Sequence, residues 1–182
     1  MKIAYQPNHR KILETLAWVA SKRPGKDFHF ILKVLFYADK AHLQEAGRPV
    51  IGDTYIKMTY GPVPSHAYDM LESDDHLPER LLELISSTLD VVRVGRIPHV
   101  TAKRSPELSF FSGSDIRCLE KALEQCDGMD FNSLCVMTHA ERAWIDAQLN
   151  GEMDYANFID EDTEDREELI AYIRETAPTV AL

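Results

Sequence analysis

The spacing of apolar residues predicts two helices in the first quarter of the chain. Over residues 8–22, apolar side chains fall at i, i+1, i+4, i+7 and i+8, the stripe of an amphipathic helix, and Asn8 is a suitable N-cap. A Pro-Gly pair ends this pattern. Asp27 can cap a second helix that is apolar nearly all round, and Gly47 suits its C′ position because glycine takes the left-handed conformation without a Cβ penalty. We expect this second helix to lie at the centre of the core.

Short β-type and helical patterns follow in the middle of the chain. Residues 50–59 have strand-like positions interrupted by a Gly-Asp turn signal, which predicts a short strand or hairpin. Pro62 and Pro64 both suit the first turn of a helix, where backbone N–H groups have no intrahelical partner. The pattern therefore predicts a helix over residues 62–73.

The next segments predict one more helix and a second hairpin. The helix starts near Pro78 and carries apolar residues at helical spacing. Residues 89–94 and 97–101 are β-type and flank a Gly-Arg turn, as in a small hairpin. Residues 102–108 form a polar loop, where we expect local mobility.

The last third of the chain is predicted to be helical again. Ser112 and Asp115 have the spacing of a capping box before an apolar stripe, and Asp130 can cap another helix. A further turn is predicted to start at Thr138. The final helix is predicted over residues 163–176, with acidic first turns that suit the positive end of the helix dipole.

Length and composition limit the architecture and the location of the protein. At 182 residues and 45% hydrophobic positions, without internal repeat or linker, the chain fits one domain over residues 1–182. We therefore predict a mainly α (α+β) fold, a compact helical domain with one or two short β-hairpins. The sequence has no 18-residue apolar run and no signal-peptide pattern, which predicts a cytoplasmic protein without a membrane partner. The spacing of Cys118, Cys126 and Cys135 suits neither disulfides nor zinc, so we expect reduced thiols.

The net charge of the chain indicates which classes of partner it can bind. The formal net charge is −10, which disfavours direct nucleic-acid binding because such binding depends on Lys and Arg displacing counterions. An acidic surface can instead attract a basic protein. Residues 160–168 hold seven carboxylates and are either the solvated start of a helix or a contact surface for such a partner.

The candidate chemistry of the chain is sparse. Asp39 and His42 lie three residues apart on one predicted helix, either as an acid–base pair or as a structural pair that ties the helix to the next turn. No metal spacing, nucleophile signature or phosphate loop occurs, so no catalytic residue, metal or cofactor is predicted. Tyr55, Tyr60 and Tyr68 surround a Gly-Pro-Val-Pro segment and suit either a core or an interface.

An ordered set of residues between positions 33 and 69 resembles the Panacea domain of SocA-like antitoxins. The set comprises Lys33, Leu35, Phe36, Tyr37, Ala38, Asp39, His42, Leu43, Gly47, Arg48, Pro49, Gly52, Asp53, Tyr55, Gly61, Pro62, Val63, Pro64, Tyr68 and Asp69, and a later motif is formed by Thr138, His139, Ala143 and Trp144. The resemblance implies a mostly helical bacterial or prophage antitoxin that neutralises a cognate protein toxin by direct binding. Some relatives are thought to deliver the toxin to a protease, so a proteolytic adaptor with a cytoplasmic protease as second partner is the alternative.

A family that serves many toxins should keep its scaffold and vary its contacts, and we divide the candidate residues accordingly. The predicted structural motif comprises Tyr37, Asp39, His42, Gly47, Gly61, Pro62, Pro64, His139 and Trp144. The predicted toxin-binding residues are Arg48, Asp53, Tyr55, Lys57, Tyr60, Val63, His66 and Tyr68. The expected mechanism is occlusion of the toxin by a preformed surface. An enzyme that uses Asp39 and His42 is the remote alternative.

Overall fold

The apolar helix α2 (Phe28–Ala46) forms the centre of the core in the computed structural model, which describes residues 2–180 and 182. At its start the Asp27 side chain accepts a hydrogen bond from Phe30 N, and at its end Gly47 takes a left-handed φ of 68°. Both predicted ends of this helix are therefore confirmed. Its side chains are buried on nearly all sides, which explains why its sequence lacks a clear polar face.

Further helices surround α2, and several of their predicted ends are confirmed. In chain order, the described residues form α1 (His9–Lys22), α2, α3 (Ser65–Glu72), α4 (Glu79–Thr88), α5 (Gly113–Cys126), α6 (Phe131–His139), α7 (Arg142–Asp146), α8 (Arg166–Thr176) and 3₁₀ turns at Leu108–Phe110 and Tyr155–Phe158. Asn8 and Asp130 each accept a hydrogen bond from the backbone N–H three residues on, and Ser112 forms the predicted capping box with Asp115. None of the helices in the described part of the chain combines the length and apolarity needed to cross a membrane.

The β structure consists of one small sheet and one separate hairpin. The strands are β1 (Lys26–Asp27), β2 (Tyr55–Met58), β3 (Gly61–Pro64), β4 (Leu89–Val94) and β5 (Ile97–Ala102). The antiparallel sheet has the order β1-β5-β4, and β2 pairs with β3. The predicted fold class, mainly α with two short β-hairpins, is confirmed.

The helix predicted after Gly61 starts later in the structure. Pro62 and Pro64 do not open a helix: both belong to β3, with Pro62 opposite Lys57 and Pro64 opposite Tyr55. Proline is tolerated here because β3 is an edge strand of a two-stranded hairpin. The helix predicted over residues 62–73 was therefore wrong at its start, and α3 begins at Ser65.

Three boundaries later in the chain also need correction. Helix α6 continues through His139, so no separate turn starts at Thr138, and the next helix begins only at Arg142. The last helix begins at Arg166 rather than at residue 163, because Asp165 has a positive φ of 52°. Much of the acidic run therefore precedes α8. The two-residue strand β1 gave no periodic signal and was not predicted.

A buried carboxylate ties α2 to the loop and strand that follow it. The Asp39 side chain is 0% exposed and accepts hydrogen bonds from Ile51 N at 2.8 Å and Gly52 N at 3.1 Å. The Tyr55 hydroxyl donates to it at 3.1 Å, and the Tyr155 hydroxyl, which donates to Asp53 O at 2.7 Å, lies 3.4 Å from the same carboxylate. Burial raises the pKa of Asp39 to about 7, because an apolar environment disfavours the charged form.

His42, three residues after Asp39 on α2, has hydrogen-bond partners that differ from those of Asp39. Its Nδ1 lies 2.6 Å from the Arg48 carbonyl oxygen and therefore donates to it, while Nε2 lies 2.9 Å from Ser114 Oγ. No hydrogen bond joins His42 to Asp39 in the described residues. The geometry thus agrees with a structural pair that fixes the turn after α2 rather than with an acid–base pair.

A second buried cluster connects α1 and the loop after α2 to α5. The Asp115 carboxylate accepts from Lys11 Nζ at 3.1 Å and from Arg48 Nη1 at 3.0 Å. Lys11 is 3% exposed and Asp115 is 1% exposed. Loss of one partner of a buried pair leaves an uncompensated charge, so these contacts hold the three segments in one arrangement.

Replacing Asp39 by Ala should lower the free energy of unfolding by at least about 3 kcal/mol, because each buried donor left without an acceptor costs roughly 1–3 kcal/mol. Urea denaturation followed by circular dichroism measures the change. The exposed Asp90→Ala variant is the control and should differ from the parent protein by less than about 0.5 kcal/mol. A loss below about 1 kcal/mol for Asp39→Ala would contradict the anchoring role of this carboxylate.

Candidate protein-interaction groove

A groove of about 510 Å³ lies between the first half of α2, the two hairpins and α6. We call it the α2 groove; it is bounded by residues 27–33, 58–63, 68–72, 93–98 and Phe131. Its residues come from segments far apart in the sequence. The groove therefore exists only once both hairpins have packed against α2.

The rim of the α2 groove is unusually apolar for a solvent-exposed surface. Its exposed side chains include Met58, Tyr60, Tyr68, Ile97 and Phe131, with exposed fractions of 40%, 59%, 36%, 53% and 44%. Single exposed apolar residues need no explanation, whereas a contiguous group around one groove is typical of a binding surface. The arrangement favours contact with another molecule at this place.

Aromatic contacts shape two sides of the groove. The rings of Phe28 and Tyr68 pack edge to face with centroids 6.5 Å apart on one side. On the other side, Phe131 lies 5.2 Å from the Tyr60 ring and 4.3 Å from the His29 ring. Such rings offer large, rigid contact areas that lose little conformational entropy on binding.

Lys33 lies in the floor of the groove, and its ammonium group has a single hydrogen-bond partner among the described residues. Its Nζ donates to Pro62 O at 2.9 Å, and the residue is 1% exposed. Within the described part of the chain, no carboxylate oxygen lies within 4.0 Å of this ammonium group. Burial lowers the pKa of Lys33 to about 8, since desolvation disfavours the charged form.

Gly61 makes room for this lysine below the hairpin. Its φ is 107°, and a Cβ atom at this position would lie 2.5 Å from Thr138 Oγ1 and 2.9 Å from Lys33 Cε. A side chain would therefore collide with two neighbours in a backbone conformation that favours glycine. The predicted structural role of Gly61 has a direct physical basis in this contact.

His29 completes the polar part of the groove wall. Its Nε2 lies 3.1 Å from Tyr60 O, and Cys135 Sγ lies 3.5 Å from the same nitrogen. Burial and the nearby Lys33 charge lower the pKa of His29, so the ring is neutral near pH 7. A neutral Nε2–H donates to Tyr60 O and helps to hold the turn between β2 and β3.

Three of the predicted toxin-binding residues, Tyr60, Val63 and Tyr68, line the α2 groove. Arg48 lies elsewhere, with 23% of its side chain exposed, in the ion pair with Asp115. The structure thus divides the predicted contacts among several places and brings only three of them together in the groove.

Two of the predicted toxin-binding residues are buried. Asp53 is 1% exposed and accepts hydrogen bonds from His66 N and Ala67 N, so it caps α3, whose own N-cap residue, Pro64, has no side-chain donor or acceptor. Tyr55 is also 1% exposed and donates to the Asp39 carboxylate. A partner cannot touch either side chain in this conformation.

Lys57 and the later motif hold β2 against α7. Lys57 Nζ donates to the carbonyl oxygens of Ile145 and Ala147 and lies 4.1 Å above the Trp144 ring. The indole stacks on His139 with centroids 3.9 Å apart, and its Nε1 donates to Met58 O. These contacts position the hairpin that carries Tyr60.

The described residues offer one group with metal-ligand chemistry. Asp74, Asp75 and His76 have ligand atoms within 4.8 Å of one another at the turn after α3. The His76 side chain is 90% exposed, and the group lies outside the α2 groove. Exposed acidic turns commonly gather such atoms without an ion, so we assign no metal role to it.

The groove residues that the sequence did not predict as contacts include His29, Arg93, Arg96, Ile97 and Phe131. Two signals could have pointed to the site. The first is Lys33, which belongs to the family pattern and is the one charged residue in the otherwise apolar segment 31–38. The second hairpin carries valine and isoleucine directly beside its turn, where polar residues are usual.

Comparison with known families gives one match. A family model described as "Antitoxin SocA-like, Panacea domain" matches residues 31–145, more than half of the chain. The match begins in α2 and ends in α7, and it includes every segment that bounds the α2 groove except the first turn of α2. Neither the curated proteins nor the solved structures contain a match.

Gly61→Ala should reduce the free energy of unfolding by roughly 2 kcal/mol or more, because backbone strain and two close contacts add together. Gly95→Ala is the matched control: Gly95 also has a positive φ, 63°, but no atom lies within 4 Å of the added methyl group. The control should lose only about 1 kcal/mol from the left-handed conformation. Equal losses in urea denaturation would show that the space below Gly61 is unimportant.

The Asp53–His66 contact predicts a pH-dependent contribution to stability. The hydrogen bond to Asp53 raises the pKa of His66 above 6.5, so its stabilisation is complete below pH 6.5 and is lost as pH rises through the folded-state pKa. His66→Gln should therefore destabilise the protein more at pH 5.5 than at pH 8.5. The same loss at both pH values, measured by urea denaturation, would rule out a charged His66 in the folded state.

Proposed function

Because the chain belongs to the SocA-like antitoxin family with the Panacea domain, we propose that it neutralises a cognate protein toxin by direct binding. The observation that carries this proposal is the exposed apolar rim of the α2 groove. Interfaces obtain most of their binding energy from a few well-placed aromatic side chains, and Tyr60, Tyr68 and Phe131 provide such a group.

The mechanism that fits this surface is occlusion. Hydrogen bonds of Asp39, Lys57 and Trp144 hold the groove on several sides, so it needs little reorganisation to receive a partner. A preorganised surface loses less conformational entropy on docking and binds more tightly. Tyr60, Val63 and Tyr68 remain as the proposed contacts in the groove, and Arg48 and His66 as partly exposed contacts outside it.

The buried positions of the Asp39 carboxylate and the His42 ring favour binding over catalysis. Asp39 and His42 are both 0% exposed, and their polar atoms are occupied by backbone groups and by Tyr55, Tyr155 and Ser114. A substrate has no access to either side chain in this conformation. The observations therefore support a binding module more strongly than an enzyme.

Expression of the neighbouring reading frame should arrest growth, and co-expression of this chain should restore it. Tyr60→Ala should weaken binding to the neighbouring protein about 30-fold, because truncation of an aromatic anchor costs roughly 2 kcal/mol. Leu149→Ala is the matched control, since Leu149 is 60% exposed, as Tyr60 is at 59%, but lies outside the groove.

Two results would contradict the proposal. A neighbouring protein that is harmless in every host tested would leave no toxin to neutralise. If the toxin disappears in normal cells, but persists and still arrests growth in protease-deficient cells that contain this chain, delivery to a protease would replace occlusion.

A further inference from the structure

The lining of the α2 groove has a charge that differs from the rest of the molecule. The whole chain has a formal net charge of −10, yet the groove contains Lys33, Arg93 and Arg96 against Asp27 and Glu72. Its local charge is therefore positive. An acidic protein with a positive groove can distinguish partners by the charge of the segment that enters it.

Two of these cations have no acidic partner among the residues that the structure describes. Arg93 forms an ion pair with Glu72 at 2.8 Å, and Asp27 serves as the N-cap of α2. Within residues 2–180 and 182, no carboxylate oxygen lies within 4.0 Å of Lys33 or Arg96. One of these groups lies in the floor of the groove and the other, exposed, at its rim.

Of these two cations, Lys33 indicates more clearly which charge an occupant of the groove should carry. An ammonium group has three donors, and the one hydrogen bond of Lys33 in the described residues goes to Pro62 O. Removing a charge from water without a counter-charge is unfavourable, and a carboxylate near it would offset this cost. The floor of the groove therefore favours an occupant that carries a negative charge.

Besides the negative charge, the walls of the groove determine which side chains an occupant should have. Phe28 and Tyr68 form one aromatic wall, and Tyr60 and Phe131 form the other. A volume of about 510 Å³ accommodates a few side chains, not a whole element of a folded domain. An apolar side chain next to a carboxylate matches both the walls and the floor.

We infer that the α2 groove binds an extended segment of the toxin in which an acidic residue stands beside large apolar residues. Arg96 attracts the carboxylate at the rim, Lys33 adds positive charge from below the hairpin without touching the occupant, and the aromatic walls hold the apolar side chains. This inference rests on the proposed function, because it names the kind of toxin segment that the groove recognises. It also explains how one scaffold selects a partner through a short sequence rather than through overall shape.

The test uses two capped tripeptides, acetyl-Phe-Glu-Phe-amide and acetyl-Phe-Gln-Phe-amide, which differ only in charge. Each is titrated into the full-length chain at pH 7 and followed through the backbone amide signals in NMR spectra. The Glu peptide should shift the signals of Tyr60 and Ile97 and bind about tenfold or more tightly than the Gln peptide, as expected for a charge-assisted contact. Equal affinities, or no shift at these residues with either peptide at about 10 mM, would overturn the inference.

A charge-reversal variant adds a control for long-range electrostatics. Arg96→Glu should weaken binding of the Glu peptide about tenfold or more and leave binding of the Gln peptide unchanged. Arg80→Glu makes the same change in net charge at an exposed position outside the groove, and it should alter neither affinity. The same loss with both variants would mean that the effect comes from the overall charge.

The pH dependence tests Lys33 without a substitution that could disturb the core. Affinity for the Glu peptide should fall between pH 7 and pH 9 as Lys33 loses its charge, whereas affinity for the Gln peptide should stay constant. The other titratable groups around Lys33 are His29, Cys126, Cys135 and His139. Both histidine pKa values are lowered, so both rings stay neutral over this range, and burial raises both cysteine pKa values, which delays ionisation of the thiols. A constant affinity for the Glu peptide would exclude Lys33 from recognition.

The growth assay separates this inference from the proposed function. If Arg96→Glu rescues growth as well as the parent chain and the two peptides bind equally, the toxin uses another surface while neutralisation stands. If the neighbouring protein is harmless but the Glu peptide binds in the groove, the recognition chemistry stands and the antitoxin role fails.

Discussion

The carboxylate of Asp39 fixes the geometry on which the rest of the structure depends. It accepts hydrogen bonds from the loop after α2 and from β2, and it lies 3.4 Å from the Tyr155 hydroxyl in the 3₁₀ turn near the end of the chain. These contacts set where β2 begins and therefore where the β2–β3 hairpin carries Tyr60. A surface that recognises a partner is thus positioned by a buried group that no partner touches.

Helix ends were predictable from the sequence because their determinants are local. Asn8, Asp27, Gly47 and the capping box at Ser112 each act within a few residues of their own position. The start of α3 was not predictable in the same way, because β3 forms through pairing with β2. The local preference of two prolines for a helix N-terminus was overridden by this hairpin.

The candidate site was only partly predictable, for a related reason. The sequence predicts Asp53 and Tyr55 as toxin contacts, because polar and aromatic residues beside a motif are often exposed. Their burial follows from donors and acceptors that arrive from elsewhere in the fold, such as the backbone of α3 and the side chain of Asp39. The α2 groove itself collects residues from both hairpins and two further helices, so its existence is a property of packing and not of any one segment.

The ion pair between Lys11 and Asp115 limits how many residues can be removed from the start of the chain without disturbing its core. The region matched by the family model begins at residue 31 and ends at residue 145, whereas Lys11 precedes it and Tyr155, which donates to Asp53 O, follows it. A fragment cut to those limits would leave Asp115 without one cation and the Asp53 carbonyl without the Tyr155 donor, and it would expose the residues against which α1 packs. The part of the chain that the family model matches is therefore smaller than the part whose side chains hold the core together, because segments on both sides of it supply bonds to its centre.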